Sequence, residues 1–169
     1  MHLSILGILF KTSKNVKEIL WKMATKQEIS SFVNDKLGFL LYIEKNGKTM
    51  TSDDIHIHHE DITVIDKNAN NGLRQITMQE LQKIAYKKNK ITLKNSLEFD
   101  IDPLPKTYSS PDNKGYFTVA DIINIIEDFE KSTRPFSISI DEPDRSHVWF
   151  EGLYKNGSTD TEYVIGWGS

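Results

Sequence analysis

The chain of 169 residues is long enough for one domain with its own core, and it contains no cysteine. A disulfide framework, a thiol nucleophile and a zinc site built on thiolates are therefore excluded for this chain. The net charge of −3 conceals an asymmetry, because residues 1–95 carry 15 Lys/Arg against 10 Asp/Glu and residues 96–169 carry 6 against 14. This division predicts either attraction within the fold or between copies, or a basic face for an acidic partner.

The N-terminal segment is apolar over residues 3–10, but this run is too short to span a bilayer and has no basic leader or cleavage site. We therefore expect no signal peptide, no membrane association and a cytoplasmic location. Apolar spacing and the capping residues Ser13 and Thr25 predict two short helices, or one bent helix, over residues 13–36. A strand over residues 39–44 is expected to turn at Asn46 and Gly47.

The middle of the chain alternates between strand and helix signals. Residues 55–66 are predicted to form a strand interrupted near His59, and a capping box from Thr77 to Glu80 predicts a helix that continues to residue 88. Strands are predicted at 91–93 and 96–101. The proline-containing segment 103–115 is predicted to be a linker, where the chain would divide if it had two domains.

The strongest structural signal is a helix over residues 118–131, with apolar side chains at helical spacing and Thr118 and Asp121 as a capping box. Strands follow at 137–140, 147–154 and 161–167, the last two as a hairpin around residues 155–160. The pattern predicts a single α+β domain over residues 1–169, with a mainly antiparallel sheet covered by three to four helices and a C-terminal β-hairpin.

Two histidines are candidate metal ligands. On a strand His56 and His58 share one face while the neighbouring isoleucines share the other, so both imidazoles can reach one ion that a carboxylate or water completes. Such an ion would activate water, which defines a metal- or His-dependent hydrolase as a third function. The alternative is an edge strand with polar residues in solvent. His147, with Asp144 or Glu151 beside it, is a second candidate for acid–base chemistry.

A group of lysines defines the second function, a nucleic-acid-binding accessory protein. Basic residues between 11 and 26 lie along the first predicted helix. A second set lies along the helix predicted at 77–88 and just after it: Lys83, Lys87, Lys88, Lys90 and Lys94. Arginine, the usual bidentate reader of phosphates and bases, is nearly missing from this half. A solvated lysine face is the alternative interpretation.

An aromatic C-terminal hairpin supports the leading hypothesis, a non-enzymatic structural or interaction protein that binds itself or another protein without a cofactor. Both faces of the hairpin carry bulky residues, so one face must be covered by the rest of the chain or bind a partner. The predicted partner-binding residues are Trp149, Glu151, Tyr154, Tyr163 and Trp167.

The C-terminal third contains several short motifs in a fixed order. They are Phe117-Thr-Val-Ala-Asp121, Phe129-Glu-Lys131, Arg134-Pro135, His147-Val-Trp-Phe-Glu-Gly152 and Gly166-Trp-Gly-Ser169. Together they resemble a small uncharacterised domain met in large DNA viruses. The resemblance implies an intracellular viral protein of unassigned activity, located in the host cell, and it assigns no catalytic residue.

Overall fold

A computed structural model of the chain describes residues 29–44, 49–94, 104–136, 148–155 and 159–168. The α-helices are α1 (Ser31–Asp35), α2 (Met78–Leu81) and α3 (Val119–Thr133). Short 3-10 helices span Ser52–Asp54, His59–Asp61, Pro111–Asn113 and Arg134–Phe136. The strands are β1 (Leu37–Gly38), β2 (Tyr42–Ile43), β3 (Ile55–His56), β4 (Thr63–Ile65), β5 (Leu73–Gln75), β6 (Ile84–Tyr86), β7 (Lys90–Lys94), β8 (Lys106–Ser109), β9 (Phe117–Thr118), β10 (Trp149–Lys155) and β11 (Glu162–Gly168).

The described strands form several small sheets rather than one large one. Their orders are β1-β4-β5, β10-β11-β7-β8, β2-β3 and β6-β9. Neighbouring strands pair antiparallel except β11 and β7, which run parallel. A mixed helix-and-strand fold with mainly antiparallel pairing is therefore confirmed, as is the C-terminal hairpin.

Helix α3 forms where the sequence predicts a helix, and its start is fixed by the predicted capping box. Thr118 Oγ1 accepts a hydrogen bond from the amide of Asp121 at 3.2 Å, and the Asp121 carboxylate accepts one from the Thr118 amide at 2.8 Å. The apolar face of α3 is buried along its length and packs against β3. Each large apolar side chain buried in this way stabilises the fold by about 1.5–3 kcal/mol.

One hydrophobic cluster includes buried side chains from Ile29 to Ile165 and so joins the first described residues to the last hairpin. The expected cover of three to four helices is not confirmed. The described residues contain three α-helices, and α1 and α2 have only 5 and 4 residues. Among the described residues, helix α3 therefore supplies most of the helical cover.

Two predicted elements are wrong. The helix expected to run to residue 88 ends at Leu81, because Ala85 and Tyr86 are buried in β6 and the backbone of β6 pairs with β9. The capping box is correct, but the helical spacing of apolar residues continues for only a few residues after it. The pairing of β6 with β9 therefore outweighs the local helix propensity. In the predicted linker at 103–115, residues Lys106–Ser109 form β8 and pair with β7.

Several predictions fall outside the described residues: the helices before residue 29, the turn at Asn46 and Gly47, and the strands at 96–101 and 137–140. The predicted interruption near His59 is confirmed, because a 3-10 helix, His59–Asp61, separates β3 from β4. In the part of the chain that the structure describes, no helix combines the length and apolarity needed to cross a bilayer.

Candidate metal centre

The two-stranded ribbon β2–β3 presents polar side chains on its outer face. Tyr42 lies directly across from His56 in the antiparallel register. Ile55 is fully buried, so the opposite face of the ribbon belongs to the core. Because side chains alternate along a strand, Glu44 and His58, each two residues further on, return to the face of Tyr42 and His56.

Three potential ligands converge on this face, and we call Glu44, His56 and His58 the candidate metal centre. The Nε2 atoms of His56 and His58 lie 3.1 Å apart. Glu44 Oε1 lies 3.7 Å from His56 Nε2, and the three ligand atoms all fall within 4.8 Å of one another. Two nitrogens bound tetrahedrally to zinc are about 3.3 Å apart, given bonds of about 2.0–2.1 Å. The imidazole pair therefore has the spacing of metal ligands.

Glu44 is the adaptable member of the centre, since its side chain is 63% exposed. Its separation from His56 exceeds the expected ligand spacing by only a few tenths of an ångström. Rotation of an exposed glutamate side chain is enough to close that gap. The backbone does not have to move, because the amide of Glu44 already donates a ribbon hydrogen bond to the carbonyl of Asp54 at 2.7 Å.

The imidazole contact also has a simpler interpretation without an ion. At 3.1 Å one Nε2–H can donate a hydrogen bond to the lone pair of the other Nε2. Metal ligation requires the lone pairs of both Nε2 atoms, so an ion would replace this hydrogen bond. Metal titration separates the two interpretations, because a pair that serves as metal ligands binds the added ion, whereas a pair that is only hydrogen-bonded does not.

Tyr42 and Asp61 surround the imidazole pair. The Tyr42 ring is stacked on His56 with centroids 5.8 Å apart and meets His58 edge-on at 4.3 Å. The Tyr42 hydroxyl donates a hydrogen bond to Asp61, which raises the pKa of that hydroxyl above its ordinary value. Glu60 Oε1 lies 3.6 Å from His58 Nδ1, on the side of the ring away from His56.

This ligand set suits a particular class of ion. Imidazole nitrogens favour zinc, copper, nickel and iron over magnesium and calcium, which prefer oxygen ligands. Three protein ligands leave a coordination position for water or another small ligand, as in catalytic zinc sites rather than closed structural ones. The arrangement can thus hold an ion with an exchangeable position.

The sequence predicted the imidazole pair but not its neighbours. His58 lies just beyond β3, yet it shares the face of His56 as the alternation predicted. Glu44 and Tyr42 were missed, because they are 12 or more residues away in sequence and reach the centre only through the register of β2 on β3. The hairpin turn signal at Asn46 and Gly47 was the clue that could have placed them there.

Most aromatic residues of the predicted partner-binding set contact the protein itself. Tyr163 is buried and meets Tyr86 edge-on at 5.7 Å. Trp149 is half-buried and lies against Gly38, where a Cβ would fall 2.5 Å from the indole ring. These two side chains lie on opposite faces of the hairpin, and the first part of the chain contacts both of them.

Trp167 is engaged by a buried ion pair. Arg134 Nε donates to Glu130 Oε2 at 2.7 Å, and the two side chains are only 1% and 2% exposed. Trp167 Nε1 donates to the other Glu130 oxygen at 3.1 Å, and the Arg134 guanidinium lies 5.4 Å from its ring centroid. Tyr163 is thus buried in the core and Trp167 is half-buried against this ion pair, whereas Glu151 and Tyr154 are exposed. Partner binding by this set stays a prediction.

The five lysines of the nucleic-acid hypothesis do not share a helix. Lys83 follows α2, Lys87 and Lys88 follow β6, and Lys90 and Lys94 lie on β7. The prediction that Lys83, Lys87 and Lys88 lie on one helix is wrong, because the helix ends at Leu81 and β6 replaces its second half. Lys90 and Lys94 were predicted beyond that helix. The basic residues between 11 and 26 lie outside the described residues.

Part of this positive charge is used within the fold. Lys94 Nζ lies 3.0 Å from Glu162 Oε2, across the parallel pairing of β7 and β11. Lys88 Nζ donates to the backbone carbonyl of Asp160 at 3.1 Å. The pair of Lys94 and Glu162 joins a basic residue of the first half to an acidic residue of the second half within one chain, as attraction within the fold predicts.

A second electrostatic cluster supports β5 and α2. The Arg74 guanidinium donates two hydrogen bonds to Glu80, at 2.7 and 2.8 Å, and one to Asp66 at 2.9 Å. Glu80 also closes the capping box with Thr77. Hydrogen bonding to Arg74 lowers the pKa of Glu80 to about 2. These groups are saturated by one another and hold the local fold.

His147 lies outside the described residues, so its predicted acid–base role stays a prediction. The chain matches no family model, no curated protein and no solved structure. The resemblance of the C-terminal third to a viral domain therefore also stays a prediction.

Proposed function

We propose that this protein binds a divalent transition-metal ion through Glu44, His56 and His58. The observation that supports the proposal is the 3.1 Å separation of the two Nε2 atoms on the exposed face of a ribbon. A carboxylate oxygen lies within 4.8 Å of both nitrogens. This assignment promotes the third function that the sequence offers and gives it a ligand set from the two strands of the ribbon and the residues just after them.

Zinc is the reference ion for this proposal. Two neutral imidazoles and one carboxylate match the ligands of many zinc sites, and the open position would carry water. A zinc ion lowers the pKa of such a water and makes it a nucleophile at neutral pH. Hydrolysis at this centre stays a prediction, whereas metal binding can be tested directly.

Calorimetric titration of the tag-free protein with Zn²⁺ tests the proposal. His56→Ala and His58→Ala each remove one nitrogen ligand, and we expect each to weaken zinc binding by at least about tenfold. His59→Ala is the matched control, because His59 is exposed in the same segment but does not belong to the metal centre. The control is expected to bind zinc as the unsubstituted protein does.

Two results would contradict the proposal. Zinc affinity that is unchanged in both His56→Ala and His58→Ala would place any bound zinc elsewhere in the chain. Binding of Mg²⁺ or Ca²⁺ as tightly as Zn²⁺ would remove the basis for a nitrogen-rich site, since those ions prefer oxygen ligands.

Protein interaction is a second proposed function, and one exposed aromatic side chain supports it. Tyr154 is 50% exposed on β10, where Glu151 is also exposed. We propose that this patch lets a cytoplasmic, non-enzymatic protein bind itself or a protein partner, in the host cell if the chain is viral. Light scattering at low and high salt tests this, because a dimer lost in Tyr154→Ala supports it and a monomer at every concentration contradicts it.

A further inference from the structure

We infer that Tyr42, anchored by Asp61, is a positioning residue that fixes both imidazoles of the metal centre before an ion arrives. The inference rests on the proposed metal-binding function and extends it to residues that are not themselves ligands. The observation that carries it is that one ring contacts both ligand histidines.

Three rings meet at the centre, each in contact with the other two. Tyr42 and His56 are nearly parallel, with 12° between their planes, while Tyr42 and His58 are close to perpendicular at 77°. The two imidazoles are themselves perpendicular, at 89°, with centroids 4.6 Å apart. An ion bound by both rings must lie in both ring planes, and nearly perpendicular planes intersect along a line, whereas the planes of two parallel stacked imidazoles do not meet.

The orientation of an imidazole is otherwise weakly determined. Rotation about the second side-chain torsion of histidine is broad, so an exposed histidine samples many ring orientations. An ion must then restrict both rings when it binds, and that restriction weakens binding. Contact with a third, rigid ring removes part of this freedom in advance, which is how supporting residues strengthen metal sites.

Tyr42 itself is held at both ends. Its backbone pairs with His56 in the ribbon, which fixes the ring next to that imidazole. Its hydroxyl donates to Asp61 Oδ2 at 2.5 Å, and the amide of Asp61 donates to the carbonyl of His58 at 3.0 Å. The 3-10 helix after His58 therefore carries Asp61 back to Tyr42 and connects the orientation of the tyrosine to both ligands.

Three substitutions separate the ring from its anchor. Tyr42→Ala removes the ring, Tyr42→Phe keeps the ring but loses the hydroxyl, and Asp61→Asn keeps the tyrosine but replaces the charged acceptor. All three leave Glu44, His56 and His58 in place. Tyr116→Ala is the control for loss of a partly exposed tyrosine, because Tyr116 directly precedes β9 and lies outside the ribbon.

Zinc affinity is measured by competition with a chelator, together with the visible absorption of the Co²⁺-loaded protein and the stability of the metal-free protein. We expect Tyr42→Ala to weaken zinc binding by about 10–100-fold and to change the Co²⁺ spectrum. Tyr42→Phe and Asp61→Asn are expected to show smaller losses in the same direction. A merely structural role would lower the stability of the metal-free protein without changing the Co²⁺ spectrum of the folded fraction.

The outcomes distinguish this inference from the function on which it rests. No zinc binding by the unsubstituted protein would overturn the proposed function. Zinc binding that is equal in the unsubstituted protein and in Tyr42→Ala would overturn the positioning role alone. If Tyr42→Ala does not fold, Tyr42→Phe decides, because it removes the donor to Asp61 outright, and unchanged affinity and spectrum in that variant would overturn the role of the anchored tyrosine.

Discussion

The β2–β3 ribbon and the β10–β11 hairpin start from the same kind of sequence signal and end in different environments. In both, alternation assigns side chains to two faces. The polar face of the ribbon stays open, with Glu44 63% exposed. The second face of the hairpin is covered, and there Phe150 stacks on Phe39 with centroids 4.5 Å apart.

The difference teaches what alternation can decide. It predicts which side chains share a face, because the strand period is two. It does not predict whether a distant segment covers that face. The hairpin is covered by residues near β1 and by the end of α3, which lie far away in sequence, and the ribbon keeps an accessible imidazole pair.

Removing the aromatic stack should have the largest effect on stability. Phe150 is buried against Phe39, so Phe150→Ala is expected to lower the free energy of unfolding by about 3–5 kcal/mol. Urea denaturation measures this change. A loss below about 1 kcal/mol would mean that the hairpin is not covered as described.

The buried ion pair at the end of α3 should give the next largest effect. Glu130→Gln leaves the Arg134 guanidinium buried beside a neutral amide, with an expected cost of about 3 kcal/mol. Glu127→Gln is the matched control, because Glu127 and Lys131 form a more exposed pair at the same helical spacing. Thermal and urea denaturation should show a loss of about 0.5 kcal/mol in the control. Equal losses in both variants would contradict the burial of the Glu130–Arg134 pair.

Acid should weaken the ion pair between Glu80 and Arg74. The Glu80 side chain is intermediate in exposure between the open face of the ribbon and the covered face of the hairpin. Glu80 has a folded-state pKa of about 2, lowered by Arg74 from an ordinary 4.5, so its ion pairing is fully present above about pH 4.5 and is lost as pH falls toward 2. Denaturation midpoints should therefore fall over that window. The difference between the unsubstituted protein and Glu80→Gln should be larger at pH 7 than at pH 2.5. A difference that does not depend on pH would exclude this linkage.

Removing Tyr154 should have the smallest effect on stability. Because the side chain is half exposed, Tyr154→Ala is expected to change the free energy of unfolding by less than about 0.5 kcal/mol. Urea denaturation at low protein concentration measures this. A large loss would show that Tyr154 supports the fold and would make it unsuitable as a partner contact.

Local signals in the sequence were enough for part of this structure. Helix α3 could be predicted because its cap, Thr118, and its apolar face are encoded within a few turns. The shared face of His56 and His58 likewise depends only on the strand period. Both predictions needed no knowledge of distant residues.

The remaining features depend on pairing between distant segments. The end of α2 at Leu81 is set by the pairing of β6 with β9, more than thirty residues further on. Strand β8 exists because β7 pairs with it, although its own residues read as a linker. Glu44 and Tyr42 come next to the two histidines of the candidate metal centre only through the register of β2 on β3. No periodicity within one segment encodes these relations.

X-ray absorption at the zinc edge of the zinc-loaded, tag-free protein tests the metal centre most directly. We expect two imidazole nitrogens at about 2.0–2.1 Å together with oxygen ligands, and one imidazole in both His56→Ala and His58→Ala. A coordination sphere made only of oxygens, or one that neither substitution alters, would contradict the assignment of the ion to Glu44, His56 and His58.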